Sequence, residues 1–177
     1  LMREEVAGFS REAMQRGIVQ QMTDRSRDRV GELASSLTNP FYYLDLESIG
    51  KIADAARHET GVAYVLVYDA NGNIVHDGSG EIAAYGRKME GPLATRAVGA
   101  HGVVVQQTAD ILDVAAPIEL GGETLGGVRV GYTLQGAKAK VAGETKLLDR
   151  RIADLASRHR WAIALLIAAM PLAALGL

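Results

Sequence analysis

The sequence predicts an α+β domain in which a long N-terminal helix packs on an antiparallel sheet of about five strands, followed by a C-terminal helix. Three observations carry that expectation. Apolar residues recur at helical spacing from Met2 to Leu37, β-branched and aromatic runs separated by Asn-Gly and Gly-Gly pairs fill the middle of the chain, and a second helical pattern starts at Gln135.

In the first element, Met2, Val6, Phe9 and Ala13, then Val19, Met22, Val30, Leu33 and Leu37, follow a period of about 3.6 residues. Arg3, Glu4, Glu5, Arg11, Glu12, Arg25, Arg27 and Arg29 occupy the remaining faces, as solvent exposure requires. Gly17 and Gly31 weaken the helix locally, and Asn39-Pro40 is expected to end it, because the residue before proline is pushed toward extended backbone. A second helix is expected over roughly Leu46 to Glu59.

Strands begin after Gly61. Val62 to Tyr68 is β-branched and aromatic, and Asp69-Ala70-Asn71-Gly72-Asn73 then leads into Ile74-Val75-His76, a hairpin turning at Asn71-Gly72. Glycine-flanked helical or irregular sequence fills Ser79 to Ala100. Three further strands are expected at Gly102 to Thr108, Ile111 to Leu120 and Leu125 to Leu134, the last two joined by Gly121-Gly122 and therefore antiparallel neighbours. The organisation is thus a helix over 1–40, a core over 41–134, a C-terminal helix over 135–160 and an apolar segment over 161–177.

In the C-terminal helix, Val141, Thr145, Leu148, Ile152, Leu155, His159 and Ala162 alternate by steps of four and three. Such a seam packs against a partner helix: the N-terminal helix, the same helix of a second protomer, or, for its first half, the chain's own sheet. Trp161 to Leu177 carries no charge and follows Arg158, His159 and Arg160, so it is expected to be the first part of a membrane-spanning helix, the alternative being a buried C-terminal helix or an amphipathic surface segment. Arg150, Arg151, Arg158 and Arg160 before the span weigh toward the cytoplasmic side, but that rule compares both flanks of a span.

Composition and motifs exclude several classes of function. A net charge of −2, with basic residues spread among acidic ones, gives no field for nucleic-acid phosphates. There is no cysteine, hence no thiolate nucleophile, disulfide or thiolate metal site. Asp69 to Asn73 opens like a calcium loop, but Ile74 stands where the loop glycine belongs and Gly80 where the bidentate glutamate belongs. The Gly121 to Gly127 run lacks the lysine and following helix of a phosphate loop. His58, His76, His101 and His159 lack metal-ligand spacing, and Gly78-Ser79-Gly80 is not a nucleophile elbow. No catalytic residue, metal site or cofactor is expected.

The order of elements, with VYDANGNIVHDG over Val67 to Gly78 and DVAAPIELGGETLGGVRVGY over Asp113 to Tyr132, resembles the Cache family of sensor domains, also called PDC or PAS-like periplasmic domains. The resemblance covers roughly residues 1 to 160. It implies a small-molecule pocket between sheet and insertion, a location in the periplasm or outside the cell, an anchor in the inner membrane, a homodimeric receptor, and a cytoplasmic output such as a histidine kinase, a chemotaxis rod or a cyclic-di-GMP enzyme. No ligand-binding motif of the family transfers residue by residue.

The residues themselves suggest where such a pocket lies. Ala63, Val65 and Val67, with Val128 and Val130, suit packing under the long helix, which leaves Tyr64, Tyr68 and Arg129 facing the insertion. Tyr85, Arg87 and Lys88 of the insertion are then placed to close over an anionic ligand, a carboxylate or amino acid, with arginine supplying a bidentate fork. Alternatively, Arg129 pairs with Asp113 or Glu119 on the neighbouring strand and the tyrosines are core. A ligand-free dimerisation or protein-interaction module is the alternative function.

Overall fold

The computed structural model describes residues 2–136 with 139 and 143, and side chains from Glu12 onward. The C-terminal seam and the apolar segment 161–177 lie outside the described residues. Among those described, no helix is long and apolar enough to cross a membrane. The chain forms two compact units, 15–137 and 1–14 with 138–177. Every element beyond the first turns of α1 belongs to the former.

The elements are α1 (Met2–Tyr42), α2 (Leu46–Arg57), β1 (Val62–Asp69), β2 (Ile74–His76), α3 (Pro92–Val98), β3 (Val104–Gln107), β4 (Ile111–Leu120) and β5 (Glu123–Thr133). All strand pairs are antiparallel and the sheet order is β2-β1-β5-β4-β3. The expected α+β class, five-stranded sheet and both hairpins are present. Gly121 and Gly122 have φ of 62° and 90°, the double left-handed geometry of a two-residue hairpin turn. The Asp69 carboxylate accepts from the backbone N–H of Asn71 (2.9 Å) and Asn73 (2.8 Å) and from Asn73 Nδ2 (2.8 Å), so its oxygens serve the turn.

One face of the sheet meets both long helices. Val65, Val67, Val114, Ile118, Val128 and Val130 alternate inward and pack against Val30, Leu33, Leu37 and Phe41 of α1 and Ile49 and Ala53 of α2, all buried. Each fully buried aliphatic side chain contributes about 1.5–3 kcal/mol, so this layer is the main source of stability. Arg29 of α1 also donates to Glu59 Oε1, through Nε at 2.9 Å, and ties the helix to the segment before β1.

α1 does not stop at Asn39-Pro40; it continues through the proline to Tyr42. So close to the C-terminus the missing N–H forfeits only one helical bond, and burial of Phe41 against Gly126 holds the last turn in register. The helix ends in a Schellman arrangement, with Asp45 N–H donating to Pro40 O (2.9 Å) and Leu44 N–H to Phe41 O (3.1 Å). Leu44 takes the left-handed position usually given to glycine, at φ 54°. Asp45 then caps α2, accepting from Ser48 N–H at 3.1 Å.

β2 and β3 are opposite edges, so the chain between them must travel the width of the sheet. It does so on the face away from α1, where α3 packs on β3, β4 and β5. That crossing defines the second face.

Candidate functional site

The second face holds a row of directly opposed residues: Gln106 on β3, Asp113 on β4, Gly131 on β5 and Tyr64 on β1. The next row carries Ala115, Arg129 and Leu66. Because side chains alternate along a strand, both rows project to the same side. The chain thus places one buried acid and one buried base two residues apart in adjacent strand registers.

Arg129 Nε donates to Asp113 Oδ2 at 2.7 Å, with Asp113 fully buried and the arginine side chain 10% exposed. The Tyr64 hydroxyl donates to the same Asp113 oxygen and accepts from Arg129 Nη2 at 3.2 Å. The Arg129 guanidinium lies 5.5 Å from the Tyr64 ring centroid, within cation–π range. Burial above all, and then the Asp113 carboxylate, raises the Tyr64 phenol well beyond the ordinary tyrosine range, Arg129 opposing, so Tyr64 is a neutral donor. Gln106 Nε2 completes the network, donating to Leu93 O of α3 at 2.9 Å and to Asp113 Oδ1 at 3.3 Å.

Glycines let this network lie flat. A Cβ on Gly131 would overlap the Tyr64 ring, and one on Gly127 the Tyr68 ring. Tyr68 is buried, donates to Ala97 O of α3 at 3.0 Å and packs with Ala115, Met89 and Val98. Burial pushes its phenol up to about 12.

The insertion is anchored at its start. The Asp77 carboxylate accepts from the Ser79 hydroxyl, Ser79 N–H (2.9 Å) and Ala84 N–H (3.2 Å); burial opposes its ionisation, but these donors, the hydroxyl foremost, outweigh burial and hold it below the usual carboxylate range. Ile82, a β-branched residue, sits at φ 44° in the turn that follows. Residues 86–89 then run beside β2, with Gly86 N–H donating to Ile74 O (2.8 Å), Ile74 N–H to Arg87 O (2.9 Å) and Met89 N–H to Gly72 O (2.9 Å).

Of the six residues expected from sequence, the structure joins Tyr64 and Arg129, with Tyr68 beside them under α3. Tyr85, Arg87 and Lys88 are exposed. Their segment runs beside β2, which β1 separates from β5 in the sheet order. Asp113, anticipated only as an alternative partner of Arg129, is at the centre, whereas Glu119 is exposed at the far end of β4. Gln106 was not anticipated. Its sequence signal is slight: a polar residue at the inward position of Val104-Val105-Gln106-Gln107.

A cleft of about 320 Å³ lies on the opposite side of the sheet, between Gly31, Ala34, Ser35 and Thr38 of α1 and His101 and Glu119. The ligand-sized cavity expected from sequence was on the insertion side. There the Tyr64 and Tyr68 rings lie over Gly131 and Gly127.

Comparison with known proteins matches this architecture to sensor domains. The sensor domain of the histidine kinase DctB from Vibrio cholerae superposes with a TM-score of 0.60 at 12% identity, over 78% of this chain and 60% of that one. The DcuS sensor domain of Escherichia coli gives 0.52 at 20% identity, over 73% and 98%. The sensory domain of the Campylobacter jejuni chemoreceptor Tlp3, solved with isoleucine bound, gives 0.57 at 14% identity, over 79% and 64%. At such identities the likeness is one of fold, and the chain spans about three fifths of the DctB domain. A search of curated proteins finds no match. The family model described as single Cache domain 3 matches residues 7–145, most of the described structure included, and the chain therefore belongs to that family.

Proposed function

We propose that this chain is the extracytoplasmic ligand-sensing domain of a membrane-bound, homodimeric receptor that passes a small-molecule signal to a cytoplasmic output domain, a histidine kinase, chemotaxis or cyclic-di-GMP module. The observation that carries the proposal is the Tyr64–Asp113–Arg129–Gln106 network on the insertion side of a Cache sheet. A buried ion pair is weak evidence for stability, since well-packed apolar residues of similar volume do as well or better. Placed under a crossing segment with an exposed rim, it suits recognition of a carboxylate or amino acid.

Tyr64, Tyr68 and Arg129 form the floor of the proposed site. Tyr85, Arg87 and Lys88 form a rim that closes only by moving inward, the kind of two-state displacement a receptor needs if its ligand is to shift an equilibrium. The test is a thermal-shift screen of carboxylates and amino acids on the purified chain. Arg129→Ala alone would strand the buried Asp113 charge, so the double variant Arg129→Gln/Asp113→Asn is the suitable floor variant. Ligand-dependent stabilisation that this variant loses, and that Arg87→Ala weakens, supports the proposal. Stabilisation that survives the floor variant refutes these residues as the site.

One observation favours the alternative interaction module: Tyr42, Tyr43 and Leu44, 56%, 76% and 73% exposed, form an apolar corner at the end of α1. If no small molecule stabilises the chain, that reading replaces the first.

A further inference from the structure

The amide of Gln106 is fixed in orientation by its partners. Both groups that its nitrogen meets, Leu93 O and Asp113 Oδ1, are acceptors, so the NH₂ must face them. Gln106 Oε1 is then left buried with no hydrogen-bond partner among the described residues, in a residue only 5% exposed. An orphaned buried acceptor is costly and rare, and it is relieved by a donor. It stands next to Asp113, whose two oxygens already accept from Gln106, Tyr64 and Arg129.

Charge points the same way. Arg129 and Asp113 together are neutral and buried. With Arg87 and Lys88 exposed at the rim, a plain carboxylate seated on Arg129 would leave one uncompensated negative charge on the buried floor beside the Asp113 carboxylate, whereas a ligand with its own ammonium group adds no net charge to that floor and brings the donors that the acceptor side lacks. We infer that Gln106, with Asp113, is the specificity-determining element of this site and that it selects zwitterionic α-amino acids over carboxylic acids lacking the amine. This rests on the proposed ligand site on the Arg129 face.

Calorimetric titration of the purified chain with matched pairs tests it: each common L-amino acid against the acid lacking its amine, such as L-valine against isovalerate and L-aspartate against succinate. The expected result is that the amino acid that binds does so at least about tenfold more tightly than its deaminated partner. Asp113→Asn keeps an acceptor for Arg129 Nε but leaves the site one positive charge in excess, so in that variant the deaminated acid should bind at least as tightly as the amino acid. Gln106→Leu, which removes the orphaned acceptor, should narrow the preference and serves if Asp113→Asn does not fold. If the wild-type chain binds acid and amino acid equally, or if the foldable variant keeps the full preference, the inference is wrong while the ligand site stands. If no member of either series binds, the ligand site itself is wrong and the inference falls with it.

Discussion

Gly131→Ala puts the link between sheet and site under direct test. Gly131 is not among the positive-φ glycines, so alanine is conformationally allowed there, and in a strand interior it should by itself gain about 0.5–1 kcal/mol over glycine. What opposes it is the Tyr64 ring, which occupies the space of the new methyl group. Overpacking of this kind costs about 1–3 kcal/mol, and lifting the ring also breaks the hydroxyl contacts to Asp113 and Arg129, a further ~1–2 kcal/mol. The net expectation is a loss of about 1–4 kcal/mol. In a Tyr64→Ala background the ring is gone, and the same substitution should be neutral or stabilising. Urea denaturation of the four chains closes a double-mutant cycle, with an expected coupling of about 2–5 kcal/mol. Additive effects would refute the claim that the tyrosine lies across the glycine.

Further outcomes follow from other contacts. Leu44→Gly should raise stability by about 1 kcal/mol, because an exposed leucine occupies the left-handed position at the end of α1; a loss in urea denaturation would contradict the Schellman assignment. Leu37→Ala, at a fully buried position of α1, should cost about 3–5 kcal/mol in the same assay. His76 is buried, accepts from Gly78 N–H and abuts Gly50; burial lowers its pKa, with Asp77 and Asp54 opposing. Since the unfolded chain then binds the extra proton first, stability should fall as pH drops below about 6.5, and His76→Gln should flatten that slope between pH 7 and 5.5. Arg29→Ala should cost no more than about 1 kcal/mol and less in high salt, because the pair with Glu59 is substantially exposed.

The parts of this fold legible in the sequence are those fixed by local chemistry. Asn71-Gly72 and Gly121-Gly122 demand left-handed turns, and the alternation through Val62–Tyr68 and Val128–Tyr132 assigns each strand a helix-facing side. Pro40 misleads because its penalty depends on how much helix follows and on what Phe41 buries, which is tertiary information. The site was half legible. Tyr64 and Arg129 follow from alternation, but their union with Asp113 and Gln106 depends on registers across four strands, and the sheet order β2-β1-β5-β4-β3 is not local. Tyr85, Arg87 and Lys88 share a loop with the helix that covers the site, yet backbone pairing with β2 holds them at the opposite edge, which no local spacing reveals.

The most direct measurement of the central claim is a backbone amide NMR titration of the chain with the amino-acid and carboxylate series. The account predicts saturable shifts at Tyr64, Gln106, Asp113, Arg129 and the α3 segment around Leu93, on the insertion side of the sheet. Saturable shifts confined to Gly31, Ser35, Thr38 and His101 around the cleft on the α1 side would contradict it.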